Sequence, residues 1–293
     1  VNAAVNGDKL HVATGLYVEN IVITNRQLTI QGGYLADFVT QVNIPALTTV
    51  RPAANGMSIV SIENQSVVTL GSLQITSGVS LVAGGVLVEM GCVVTAQSCV
   101  IGFNRANRGG GVGISFNATF VAIDTVISNN TANFGGGVGV ASNATFVAIN
   151  TAIDKNTATI GGGIDASPTS RIILFGAGSE CSYNYAYDSG GGIAASAATT
   201  IVRDGVRIVA NYAVQRGAGI YLQDQAYLAL EGTNILLGGF FFFGNFVTGM
   251  TGRGGGIYAA DSAVVISGQN CVVGNNMAMQ HGGGVFLTNS SMI

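Results

Sequence analysis

The chain has 293 residues, 48 % of them hydrophobic and only 9 % charged, with 11 Lys+Arg against 14 Asp+Glu and a formal net charge of −3. So much apolar content at so little net charge excludes an intrinsically disordered chain, and the missing basic surplus argues against a nucleic-acid binder. Glycine supplies 44 residues, proline 3 and tryptophan none; this is about twice the ordinary glycine share of ~7 %, without the proline and three-residue period of collagen.

In chain order, residues 1–83 carry short alternating apolar runs at Lys9 to Ala13, Asn20 to Thr24, Gln27 to Gln31 and Val67 to Leu70. Such runs predict half-buried strands. Gly32-Gly33-Tyr34-Leu35-Ala36-Asp37-Phe38 and the stretch to Pro45 predict a protruding loop near 32–50. From 84 to 293 the strand rhythm continues, at Thr119 to Ile123, Ile172 to Leu174, Tyr227 to Leu230 and Val264 to Ile266, and a glycine motif now punctuates it. Gly-Gly-Gly followed by Ile or Val stands at Gly109–Gly111, Gly135–Gly137, Gly161–Gly163, Gly190–Gly192, Gly254–Gly256 and Gly282–Gly284. Gly84-Gly85 is a shortened first copy and Gly217-Ala218-Gly219 a variant. The third glycines advance by 26, 26, 26, 29, 27, 37 and 28 residues.

A second signature, apolar-x-x-Asn-x-Ala, precedes every run but the first. Its asparagines are Asn104, Asn130, Asn156, Asn184, Asn211, Asn245 and Asn276, with Val247 replacing the alanine in one copy. Asn117 to Ile123 recurs verbatim as Asn143 to Ile149. A unit of about 26 residues with three short strands and no helical periodicity predicts one coil of a right-handed parallel β-helix, an all-β solenoid. With strands ~4.8 Å apart, about ten coils give a rod on the order of 50 Å long. Glycine suits a corner that turns sharply and stacks on the corner below. Asparagine tolerates left-handed backbone and bonds its neighbour along the axis, so the motif asparagines are read as an internal ladder. Residues 1–83 then form the first coils and 84–293 the repeat coils of one continuous solenoid.

The pattern apolar-x-x-Asn with Gly-Gly-Gly-Ile/Val resembles the repeat of polymorphic outer membrane proteins. The opening, Gly7-Asp8-Lys9-Leu10-His11-Val12 through Glu19-Asn20-Ile21-Val22-Ile23 to Gln31-Gly32-Gly33-Tyr34, resembles bacterial secreted right-handed β-helix proteins. The resemblance implies an extracellular or cell-surface adhesive passenger, usually attached to a membrane-embedded barrel.

Stacked coils place equal offsets from the glycine run above one another, which predicts where a site lies. The second residue after the run is Leu87, Gly113, Gly139, Asp165, Ala194, Tyr221, Tyr258 and Phe286 in turn, at a position expected to point outward. The residue before each full run is Arg108, Phe134, Ile160, Ser189, Arg216, Arg253 and His281. The last coils therefore predict an exposed aromatic row, Tyr221, Tyr258 and Phe286, flanked by Arg216, Arg253 and His281. Such a row suits a sugar, a partner protein or simple cross-strand stacking. Five residues after the run stand Asp224, Asp261 and Asn289.

A polysaccharide-cleaving β-helix is the competing expectation. It needs paired carboxylates or an acidic calcium site, and Asp224 with Asp261 is the one plausible stacked pair. His11 and His281 lack acidic or cysteine partners in the sequence, so neither a metal nor a cofactor is expected. Cys92, Cys99, Cys181 and Cys271 are too few for a disulfide scaffold; Cys92 and Cys99 are close enough to pair across a turn, or stay as buried thiols.

The longest apolar stretch, Leu236 to Phe243, falls short of the ~18 residues of a membrane span, and Phe240 to Phe243 read as a packed bulge or a contact patch. The chain opens at Val1 without a signal-like segment and reads as a trimmed form. Asn64, Asn117, Asn129, Asn143 and Asn289 lie in Asn-x-Ser/Thr sequons. A coil begun at the last glycine run is unfinished at Ile293, so further protein or end-to-end stacking of copies into a fibre is expected.

Overall fold

The computed structural model describes residues 3–233, 235–238, 244–289 and 291–293; the Phe240 to Phe243 patch lies outside them. Three parallel sheets of ten strands each run the length of the molecule. The first extends from Lys9–Ala13 to Ala263–Ile266, the second from Gly15–Val18 to Val272–Gly274, and the third from Ile21–Thr24 to Val285–Thr288. Each coil gives one strand to each sheet, so the chain makes about nine turns of a parallel β-solenoid. A fourth sheet of five short strands, from Thr157–Ile160 to Met277–Ala278, fills the corner between the second and third sheets along the later coils. Residues 35–47 leave the coil as an excursion pinned by an antiparallel bridge from Tyr34 to Gln41.

Register follows the repeat. Thr119 to Ile123 pair residue for residue with Thr145 to Ile149, so like side chains stack and the three long sheets turn one face into a continuous apolar core. Phe120 lies over Phe146 with centroids 6.3 Å apart. The apolar residue of the asparagine signature forms an unbroken column through Ile101, Ile127, Ile153, Cys181 and Ile208. All four cysteines are free, three of them buried, and burial pushes the Cys99 thiol up to about 11.

The corner after the second sheet explains the motif. Asn156 is fully buried. Its Nδ2 donates to Ile127 O at 2.9 Å and to Asn184 Oδ1 at 3.1 Å, while its Oδ1 accepts from the N–H and Nδ2 of Asn130. The same set of bonds links Asn104 through Asn276. At the lower end Gly78 replaces asparagine, and its N–H donates to Asn104 Oδ1 at 2.8 Å. The left-handed residue is not the ladder asparagine, as the sequence suggested, but the residue before it: φ is 59° at Phe103, 55° at Asn129 and Lys155, and 53° at Tyr183, Ala210 and Asn275. The ladder asparagine needs ordinary backbone so that its side chain points inward.

The glycines complete the same device. Gly109 sits at φ 65°. A Cβ on Gly111 would lie 2.8 Å from both Asn130 Nδ2 and Gly137 O. The third glycine therefore leaves room for the asparagine of the next coil, and the two halves of the motif are one packing unit.

Candidate functional site

The two columns flanking the glycine corner are continuous in the structure. Arg108, Phe134, Ile160, Ser189, Arg216, Arg253 and His281 are paired in that order from coil to coil. Beside them run Gly113, Gly139, Asp165, Ala194, Tyr221, Tyr258 and Phe286. Where the second column is small, between Asp165 and Tyr221, a groove of about 460 Å³ opens.

Arg108 forms one end of the groove. Its stem lies across Gly139, where a Cβ would come within 2.8 Å of Arg108 Cγ. Its Nη2 donates to Asp165 Oδ2 at 2.7 Å, to Ser167 Oγ at 2.5 Å and to Val140 O at 3.3 Å. Its Nε is buried without a partner. Burial drives the Asp165 carboxyl up to about 6, with Arg108 pulling the other way. Desolvation prevails because Asp165 receives a single charged bond.

Tyr221 and Arg216 form the other end, with Asp188, Ser189, Ser196 and Gln223 along the sides. The Tyr221 hydroxyl donates to Gln223 Oε1 at 2.5 Å. Burial raises its phenol above the ordinary value, opposed by a hydrogen bond with Arg216. Two arginines and two aspartates line the groove, so it is close to charge-neutral and dense in donors and acceptors.

The expected aromatic row exists as a stack. Tyr221 and Tyr258 are 5.4 Å apart at 28°, and Tyr258 and Phe286 5.4 Å apart at 18°. It is not exposed as expected: Tyr221 and Tyr258 are 8 % and 7 % accessible. The flanking column covers it. The Arg216 guanidinium lies 5.7 Å from the Tyr258 centroid, the Arg253 guanidinium 5.3 Å from that of Phe286, and His281 stacks on Phe286 at 6.3 Å. Solvent meets the cations, because long side chains spread their stems over apolar surface and keep the charge wet.

Asp224 and Asp261 occupy the turn at the other end of these strands, both with left-handed backbone. Asp224 accepts from Ser196 Oγ at 2.7 Å, and Asp261 from Asn289 Nδ2 at 2.9 Å. Each carboxylate is thus held by a neutral neighbour. Among the described residues no three His, Cys, Asp or Glu side chains gather as a metal site would require.

Sequence reasoning named Arg216 and Tyr221 but missed Arg108, Asp165 and Asp188. Arg108 and Asp165 both stood in the two columns. Equal offsets identify only residues stacked within one column, whereas this contact joins residues of different columns two coils apart. No family model, curated protein or solved structure matches the chain, so the resemblance to polymorphic outer membrane proteins rests on the repeat motif alone.

Proposed function

We propose that this solenoid is a non-catalytic adhesive module of an exported or cell-surface protein, and that the Arg108–Tyr221 groove holds a hydroxyl-rich glycan. The observation that carries this reading is the lining. Balanced charge, three serines, Gln223 and the edge of a tyrosine offer paired donors and acceptors without a dominant field, which suits a sugar over a polyion.

Ala194 lies on the floor of the groove, directly below Tyr221 in register. Ala194→Tyr extends the aromatic stack by one ring and fills the groove between Asp165 and Tyr221 while leaving every charged side chain in the sequence unchanged. On a glycan array this variant is expected to lose at least tenfold in affinity with its thermal midpoint kept within a few degrees. Undiminished binding removes the groove from the function.

A second reading, a glycan-cleaving enzyme, is favoured by one feature: Asp165 is a buried carboxyl that holds its proton up to about pH 6 in the same groove as Asp188, as a general acid would. Release of reducing ends by the wild type, abolished in Asp165→Asn, would replace adhesion with hydrolysis.

A further inference from the structure

We infer that Arg216 and Arg253 form an oxyanion clamp beside the groove, taking a sulfate or carboxylate group; as a statement about a glycan substituent, this rests on the reading above. The two residues are direct register neighbours on adjacent coils, at the ~4.8 Å spacing of stacked strands. Like charges placed directly opposite each other destabilise a sheet. Among the described residues neither guanidinium comes within 4.0 Å of a carboxylate. Asp188 shares the groove with Arg216 but makes no ion pair with it. Asp224 and Asp261 lie at the opposite end of the same strands. The repulsion between the arginines is therefore left to an external anion.

The pair is also held in place. Arg216 is fixed over Tyr258 and Arg253 over Phe286, and Arg253 Nε donates to Gln280 Oε1 at 3.0 Å. Planar, pre-oriented guanidinium forks bind oxyanions through two parallel hydrogen bonds. Between them opens a cavity of about 270 Å³ lined by Gln215, Arg216, Thr251, Arg253 and Tyr258. It is large enough for a tetrahedral anion, carries no acid and offers the Thr251 hydroxyl and the Gln215 amide as further donors. Arg216 lines both this cavity and the neutral groove. A sugar seated in the groove thus carries its acidic substituent toward the C-terminal coils.

The test titrates inorganic sulfate at constant ionic strength, balanced with chloride, and follows the thermal midpoint of wild type, Arg216→Gln and Arg253→Gln. Without sulfate each variant exchanges a lost repulsion for lost contact with Tyr258 or Phe286, so the midpoints are expected to lie within a few degrees of wild type. Millimolar sulfate is expected to raise the wild-type midpoint by several degrees and leave the variants unmoved. An equal response in all three proteins, or none, overturns the clamp. Oligosaccharides of one backbone, carrying sulfate, carboxylate or neither, then identify the source of the anion. A tenfold preference for one charged form, lost in Arg253→Gln, supports the clamp, and equal affinity for all three overturns it. The two readings fail separately. Sulfate binding without sugar binding removes the glycan and keeps the clamp; neutral-sugar binding without a sulfate response does the reverse.

Discussion

Arg108 Nη2 and Asp165 Oδ2 lie 2.7 Å apart although 57 residues separate them in sequence. The arginine reaches across a whole intervening coil, and it does so over Gly139, the one residue type without a side chain to block the path. A contact two coils long ties together turns that otherwise touch only their neighbours. It also builds the end wall of the groove from a surface that stacking alone would leave smooth.

Replacing Arg108 by methionine keeps the stem and removes the charge. An exposed pair is worth about 0–1 kcal/mol, whereas breaking a buried one costs about 3–5 kcal/mol. The side chains here are 35 % and 13 % exposed, so the expected loss lies between, at about 2 kcal/mol in urea unfolding at pH 7. Arg108→Met with Asp165→Asn should recover most of it, because no charge is then left uncompensated. A single variant as stable as wild type would mean that the pair contributes nothing.

Asp165 gives the protein a defined pH signature. Its folded value, about 6, lies above the ordinary 3.8. The folded state therefore binds more protons than the unfolded chain between these values, and stability falls as pH rises. The contribution is complete below about pH 4 and gone above about pH 6. The stability of wild type minus that of Asp165→Asn should decline across this window, and in an Arg108→Met background the window should extend upward. A difference that stays flat from pH 4 to 7 would contradict the raised value.

Much of the scaffold was legible in the sequence because stacking turns periodicity into geometry: seven asparagines in one register can only form a column, and Asn156 meets Asn184 as that logic requires. Legibility ended where a side chain's own reach decides the outcome. Tyr258 was placed in the right column, yet its burial depends on where the Arg216 guanidinium falls, which spacing does not encode. The left-handed position was assigned one residue late because asparagine's known tolerance for that backbone concealed the need for an inward-pointing amide. At Phe103 and Tyr183 a bulky residue takes the strained conformation instead.

The asparagine ladder should be far less tolerant than its sequence composition suggests. Asn156→Ala removes four buried hydrogen bonds and strands the Asn130 N–H and the Ile127 carbonyl. At about 1–3 kcal/mol for each unsatisfied buried group, the two together give an expected loss of about 2–6 kcal/mol. Asn156→Asp should fare no better, because a carboxylate would face Ile127 O and Asn184 Oδ1. Asn133 provides the control: it bonds Asn107 Oδ1 at 2.6 Å on the surface, and Asn133→Ala should cost less than about 1 kcal/mol. Equal costs at the two positions would show that burial does not set the ladder's worth.

The glycine corner gives the sharpest contrast between positions of one motif. In each regular copy the middle N–H donates to the first glycine's carbonyl one coil on, as Gly136 does to Gly161 at 3.0 Å and Gly255 to Gly282 at 3.0 Å. A Cβ on Gly136 would sit 2.6 Å from Thr157 O and closer still to Gly162 O, both backbone atoms that cannot rotate away. Gly136→Ala must therefore separate the coils, and overpacking of this kind is expected to cost about 3 kcal/mol. Ala218 is the natural exception. Its N–H makes no such bond among the described residues, and its methyl packs with Ala186, Ala213 and Val247. Ala218→Gly loses that methyl and gains unfolded-state freedom, so it should also destabilise, by about 1 kcal/mol. Alanine is thus unfavourable at 136 and favourable at 218, and parallel urea unfolding of the two variants decides whether the glycine run is required by coil contact or by turn conformation alone. If Gly136→Ala proves neutral, conformation alone suffices, because Gly136 has no positive φ to defend.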